Sequence, residues 1–267
     1  MNQVVTQKIL VTNSEALLAD VIQLQREAEH DHNTPSIQCL PQSINSMSVD
    51  DSPDILTPVN SSCLNADQCR AYEIIIHHLD VGLAGRTMAL LRMIIHGEGG
   101  TGKSKVLQTV TAAFKQQRCE HILLKAAYTA VAASLIDGKT THTIGSMTLT
   151  SGCELNKPVS DEGKTKLEKT WAPISWLMLD KMSMLAKDFF AVLSCNASIG
   201  KHCMGDASFG GINVVILGGH HQFPPVTRPI CDALFYPSNS ETDLVTSQIR
   251  QAIYEEFMTV VILKEQK

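Results

Sequence analysis

The chain has 267 residues, 44% hydrophobic and 18% charged, which is enough apolar material for one or two folded domains. Its formal charge of −5 arises in residues 1–60, where Lys8 and Arg26 face eight acids, so residues 61–267 are close to neutral. That composition excludes nucleic-acid binding through a strong basic field, and the apolar runs, interrupted by Arg or His, indicate no membrane span.

Ser14 to about Glu29 carries Leu17, Leu18, Val21, Ile22 and Leu24 on or near one side, the pattern of an amphipathic docking helix. His30 to Ser62 is rich in Ser, Pro, Asn and Asp without periodicity. Residues 1–62 therefore read as an acidic N-terminal segment with one helix, then linker or disorder. It is unlike an arginine-rich mitochondrial transit peptide, and the nucleus is the expected compartment. Leu64-Asn65-Ala66-Asp67-Gln68 then opens a helix to about Leu79, with Asn65 as N-cap and Gln68 at the N3 position of a capping box. Gln68 has a second reading, because its carboxamide joins a donor to an acceptor and can match the N6 and N7 edge of adenine.

Met88 to His96 is an apolar, strand-like run, and it feeds Gly97-Glu98-Gly99-Gly100-Thr101-Gly102-Lys103-Ser104. These eight residues fit G-x-x-x-x-G-K-[ST], the phosphate-binding loop. Its glycines allow a tight turn that aims backbone N–H groups and a helix N-terminus at phosphate oxygens. Lys103 would reach the β- and γ-phosphates of ATP, and Ser104 would ligate Mg²⁺. Lys103 to Lys115 has helical periodicity, so strand, loop and helix follow in the order the motif requires.

His121 to Ala127 reads as the next parallel strand and Tyr128 to Ile136 as a helix start, which puts Thr129 at the ligand edge of the sheet. Gly138 to Thr143 is polar and loop-like. Its hydroxyls suit either contact with a nucleic-acid backbone or a plain surface turn. Residues 145–172 have low hydrophobicity, scattered charge and Gly152, Pro158 and Gly163, and read as an inserted surface loop. Trp176 to Asp180 is an apolar strand ending in a carboxylate, one crossover beyond the loop's strand–helix unit, which suits Asp180 to the second Mg²⁺ position.

Phe209 to Gly218 reads as another strand, leading into Gly219-His220-His221-Gln222-Phe223-Pro224-Pro225-Val226. The tandem prolines impose an extended exit, and Gln222 is placed to hydrogen-bond a γ-phosphate. The side chains of His220 and His221 should point apart, against a shared metal. Gln248 to Glu256 reads as a helix and Met258 to Leu263 as a last strand. Eight cysteines form no C-x-x-C pair, so reduced structural thiols are expected, and the spacing of Cys195, His202 and Cys203 fits no structural zinc pattern.

Across residues 64–266 these stretches resemble the petite-integration-frequency (PIF-type) DNA helicase family of superfamily one, especially its helitron-like fungal members. Leu64 to Gln68 resembles the family's adenine-reading motif, Gly97 to Ser104 its first motif, Ala127 to Ala133 its strand-contacting segment and Gln222 to Val226 its third motif. The resemblance implies an α/β fold, a RecA-like P-loop lobe over residues 63–267 with a mainly parallel sheet and helices on both faces. It implies Lys103, Asp180 and Gln222 as the catalytic set, and Thr129, Thr141 and His142 as contacts to single-stranded DNA. The implied activity is ATP-driven translocation and unwinding, acting on single strands and DNA junctions in repair, recombination and telomere maintenance. Two residues depart from the pattern. The family's Asp-Glu is Asp180-Lys181 here, and its Gly-Asp is Gly218-Gly219. With Lys267 following what resembles one motor lobe, the expectation is weak Mg-ATP binding and slow hydrolysis unless a second lobe is supplied. The competing expectation is a nucleotide or single-stranded-DNA binding module without turnover.

Overall fold

The computed structural model describes residues 60–147, 159–203, 207–219, 222–225, 232–236 and 245–266, all within one compact unit spanning residues 51–267. The expected N-terminal helix and the pair His220 and His221 lie outside the described residues. Six strands form one sheet: β1 (Arg92–Gly97), β2 (Leu123–Ala127), β3 (Lys139–Thr140), β4 (Trp176–Asp180), β5 (Asn213–Gly218) and β6 (Thr259–Leu263). Their order is β3-β2-β4-β5-β1-β6, and every neighbouring pair is parallel. The helices are α1 (Ala66–Leu83), α2 (Lys103–Gln116), α3 (Ala130–Leu135), α4 (Thr141–Ile144), α5 (Asp161–Trp171), α6 (Lys187–Gly200) and α7 (Val245–Glu255). This is the α/β lobe that the sequence implies.

Alternation along the strands shows why. Met93, Ile95, Met178, Val215 and Leu217 face one core, which α1, α2 and α3 close with Ile75, Val110, Phe114 and Ala133. Ile94, Leu177, Leu179, Val214 and Ile216 face the other, closed by α5 and α6 with Trp171, Phe190 and Leu193. A parallel sheet covered on both faces needs apolar side chains at every position, and so its strands read as continuous apolar runs. No helix of the described residues is long and apolar enough to cross a membrane.

Three segments differ from expectation. Within the stretch expected to be an inserted loop, residues 161–171 form α5: Ser160 caps it and Leu167 and Trp171 are fully buried, with Trp171 Nε1 donating to the Ile144 carbonyl at 3.0 Å. Two large side chains one turn apart anchor this otherwise polar helix. The polar stretch Gly138 to Thr143 holds the edge strand β3 and the single turn α4, which Thr140 caps. Strand β5 starts at Asn213 rather than Phe209, because Ser208–Gly211 form a 3-10 turn that tucks Phe209 into the core. Helix α6, with Phe189 and Phe190, has no counterpart in the sequence reading.

Candidate functional site

Strand β1 ends at Gly97, and the chain turns through Glu98–Gly102 into α2. Gly100 and Gly102 have φ of 79° and 83°, the left-handed region that glycine enters without strain. A Cβ at Gly102 would lie 2.3 Å from Gln68 Nε2, and one at Gly97 would lie 2.6 Å from Thr101 Oγ1. At Gly99 nothing lies within 4 Å of such a Cβ, so that side of the loop is open. Gly102 caps α2 without a side-chain hydrogen bond, which leaves the first-turn N–H groups to an anion. The cradle fits a nucleotide's phosphates.

Lys103 lies within this cradle. Its Nζ donates to the carbonyls of Gly97 at 2.6 Å and Glu98 at 2.7 Å. Burial lowers its pKa from the usual lysine range; the charges of Asp180 and Glu98 oppose that shift and the charge of Lys181 adds to it. Thr101 Oγ1 braces the same turn by donating to the Glu98 carbonyl at 2.8 Å.

Gln68 holds the loop from behind. The capping box is complete: Gln68 N donates to Asn65 Oδ1 at 2.8 Å, and Gln68 Oε1 accepts from Asn65 N at 3.2 Å. The other end of the carboxamide, Nε2, donates to the Thr101 carbonyl at 2.9 Å, and the residue is only 3% exposed. Both ends of Gln68 are spent on the protein, so in this arrangement it clamps the loop and presents no edge to adenine.

The second half of the site differs. Asp180 closes β4 and is buried, and its Oδ1 accepts from Lys181 N at 2.9 Å. Burial raises its pKa above the usual carboxylate range, against the lowering by that N–H and by the charges of Lys181 and Lys103. Lys181 itself is left-handed, with φ 64° and ψ 49°. In sequence Asp180 lies one crossover beyond the loop's unit, but in the sheet β5 stands between β4 and β1. The end of β5 is therefore wedged between loop and acid. A Cβ at Gly218 would lie 2.6 Å from Met182 Cγ, and one at Gly219 would lie 2.6 Å from the Gly97 carbonyl oxygen. Gln222 N donates to the Gly219 carbonyl at 3.4 Å, and its buried Oε1 has no partner among the described residues.

For Mg²⁺ the protein offers few donors of its own. Ser104 is half-buried at the start of α2, and the described residues hold no cluster of three or more His, Cys, Asp or Glu. What remains is one hydroxyl and one carboxyl, the latter already hydrogen-bonded and under the charge of two lysines. Mg²⁺ keeps several waters and is ordinarily held by one or two protein oxygens together with a nucleotide's phosphates, so Ser104 and Asp180 are the residues that would hold a nucleotide-borne ion, with the positive charge of Lys181 weakening it.

The expected strand contacts are not brought together as a row of free hydroxyls. Thr129 caps α3, accepting from Ala132 N at 3.2 Å. Thr141 is wholly buried and cannot meet a nucleic-acid backbone from there. His142 packs between Tyr128 and Phe189, with ring centroids 5.3 and 4.8 Å away, and burial lowers its pKa. Sequence reasoning missed this aromatic group because Phe189, one of its three rings, comes from α6. The exposed Val131 and Thr143 lie on the neighbouring α3 and α4.

The model of the PIF1-like helicase family matches residues 63–239, well over half of the chain. The chain belongs to this family. It is 31% identical over 157 residues to the ATP-dependent DNA helicase PIF1 of Xenopus laevis, covering 56% of this chain and 22% of that protein. It is also 31% identical over 137 residues to the ATP-dependent DNA helicase RRM3 of Saccharomyces cerevisiae, covering 49% of this chain and 18% of the relative. The PIF1-like chain thus spans about a fifth of the length of the curated relatives it matches. Among solved structures, the Pif1 helicase from Candida albicans shares the fold with a TM-score of 0.58 at 20% identity, over 76% of this chain and 40% of that one. Unliganded Pif1 from Bacteroides sp. aligns with a TM-score of 0.51 at 19% identity, over 76% and 42%.

Proposed function

We propose that this PIF1-like chain is the ATP-holding motor lobe of a DNA helicase, and that alone it binds ATP without hydrolysing it rapidly. The cradle carries the reading: glycines open the left-handed turns, Gln68 fixes the loop, and the α2 N-terminus and Lys103 converge where a polyphosphate would lie. On binding, the Lys103 ammonium exchanges the Gly97 and Glu98 carbonyls for phosphate oxygens. Gln222, which follows the end of β5 at Gly219, would respond to the terminal phosphate by donating from its carboxamide N–H₂.

Slow turnover follows from Lys181. An ammonium has only donors and cannot take a proton from an attacking water, and loss of a positioned base typically costs about 10²- to 10⁴-fold in rate. In related nucleotidases an arginine from outside the lobe contributes about another 10³- to 10⁵-fold, so a second lobe is the expected partner. Single-stranded DNA or a junction is the proposed nucleic-acid ligand, at the edge formed by α3 and α4, and the nucleus is the proposed compartment. A binding module without turnover is the second reading, which Lys181 and Gly219 favour.

The test is calorimetric titration of the purified chain with ATP, beside phosphate release with and without single-stranded DNA. Binding should weaken about 10- to 100-fold in Lys103→Ala, the scale of a charge-assisted hydrogen bond, with an unchanged circular dichroism spectrum. DNA-stimulated turnover of about 1 s⁻¹ or faster, an ordinary enzyme rate, that is lost in Lys103→Ala would overturn the slow-hydrolysis reading.

A further inference from the structure

The first turn of α1 and the segment that follows β6 meet behind the phosphate loop. Strand β6 pairs with β1 so that Leu263 lies beside Gly97, and a Cβ on Gly97 would come within 3.0 Å of the Leu263 carbonyl oxygen and 3.2 Å of its Cβ. The chain then passes the start of α1. Lys264 N donates to Asp67 Oδ2 at 3.3 Å, and Glu265 Oε2 accepts from Asn65 Nδ2 at 3.1 Å. Both residues are thus tied to the turn that holds Gln68.

Asn65 is bonded through both ends of its side chain. Its Oδ1 accepts from Gln68 N at 2.8 Å, while its Nδ2 holds Glu265; its backbone N–H donates to Gln68 Oε1 at 3.2 Å. Gln68 Nε2 in turn donates to the Thr101 carbonyl at 2.9 Å. An unbroken run of hydrogen bonds therefore joins Glu265, through Asn65 and Gln68, to one side of the phosphate loop, and Leu263 adjoins the other side at Gly97. A helix cap needs only the Oδ1 contact, and Asn, Asp and Ser cap about equally well. What asparagine adds is a donor, and here that donor is spent on a carboxylate beyond β6.

We infer that Asn65 is a positioning residue for nucleotide binding, and that Glu265 sets through it how firmly Gln68 clamps the phosphate loop. With the bond made, the first turn of α1 is fixed to the segment after β6 and the Gln68 carboxamide is held at the Thr101 carbonyl. With it broken, only the local cap orients that turn. Linkage makes the effect mutual, so nucleotide in the loop tightens the hold on Lys264 and Glu265. The inference rests on Gly97 to Ser104 being a nucleotide site, and adds a pair of residues outside it that tunes its affinity.

Calorimetric titration of the whole chain with ATP in Mg²⁺ tests it. Glu265 is exposed, so Glu265→Ala should fold, and Asn65→Asp keeps the cap while setting two carboxylates together. Each should lose about three- to tenfold in ATP affinity, the scale of one hydrogen bond. Combining Asn65→Asp with Glu265→Gln rebuilds the bond with donor and acceptor exchanged, and should recover affinity to within about twofold of wild type. Hydrogen exchange supplies a readout that a purely structural bond would not move: saturating ATP should slow exchange of the Lys264 N–H in the wild type and leave it unchanged in Glu265→Ala. Wild-type affinity in Glu265→Ala overturns the inference alone, as does a double variant no better than Asn65→Asp, or a wild-type Lys264 N–H indifferent to ATP. No ATP binding by the wild type overturns the nucleotide-site reading and this inference together.

Discussion

The ends of β1 and β4 open onto the same edge of one sheet, yet they are built from different materials. At β1 the work is done by the main chain: left-handed glycines, first-turn N–H groups and carbonyls braced by Gln68 and Thr101. At β4 it depends on the identity of two side chains, Asp180 and Lys181, one buried and reluctant to ionise, the other of the wrong charge for a base. Main-chain geometry suffices to cradle phosphate, whereas activating water needs a carboxylate at one position. On the proposed reading, binding and hydrolysis are separable within one lobe, the residues at β1 serving the first and Lys181 working against the second.

The largest effect should come from forcing the family's acid back between the two ends. Gly219→Asp restores the motif on paper, but its Cβ would lie 2.6 Å from the Gly97 carbonyl oxygen. Backbone must shift, so the expected cost is about 1–3 kcal/mol of stability, as for overpacking elsewhere. ATP affinity should fall at least about tenfold, since a displaced Gly97 disturbs the loop. A thermal melt and an ATP titration measure both. A variant with wild-type melting and tighter ATP would show that the loop and the β5 end move independently.

Next in size is the clamp. Gln68→Ala leaves the Thr101 carbonyl and the Asn65 N–H without their partners, a loss of about 1–3 kcal/mol for buried groups. Chemical denaturation would measure it. The same variant decides what the carboxamide does besides clamping: the ratio of ATP to GTP affinity should stay the same. A ratio that collapses would show Gln68 swinging out to meet the base.

Sequence legibility divides along the same line. The phosphate loop, the capping box at Asn65 and Gln68, and the strands buried on both faces are encoded by neighbours in the chain, and each reads correctly from spacing and apolar runs. Helix α5 does not, because two anchors, Leu167 and Trp171, are all that distinguishes it from a polar loop. The burial of Thr141 and the packing of Gly219 against Gly97 were equally invisible, since both are set by residues far away in sequence. Gln68 was half legible: its cap is local, but its bond to the Thr101 carbonyl joins residues 33 positions apart.

A smaller, stabilising change is expected at the β4 end. Lys181 holds φ at 64°, where an L side chain costs about 1–2 kcal/mol and glycine little. Lys181→Gly should therefore raise stability by about 1 kcal/mol, partly offset by glycine's greater freedom when unfolded, a rise of about 2–4 °C in melting temperature. A lower melting temperature would mean that the Lys181 side chain contributes to the fold as well as to the charge of the site.

The smallest effect lies at the third part of the edge, where α4 meets α6. Burial between Tyr128 and Phe189 lowers the pKa of His142 below its ordinary 6.5, so the folded chain disfavours the imidazolium. Between that lowered value and 6.5 the unfolded chain binds more protons than the folded one. Stability from this group is complete above pH 6.5 and is lost as pH falls through the folded value. His142→Phe keeps an aromatic ring in the cluster and removes the titration, so melting curves of the variant should lose this part of the acid sensitivity while matching the wild type near pH 7.5. Single-stranded DNA separates packing from contact: if His142 serves only the aromatic cluster, the variant should bind the strand as tightly as wild type. A loss of DNA affinity at pH 7.5, where the imidazole is neutral, would instead make His142 a direct contact and place the strand on the α4 side of the edge, away from the phosphate loop.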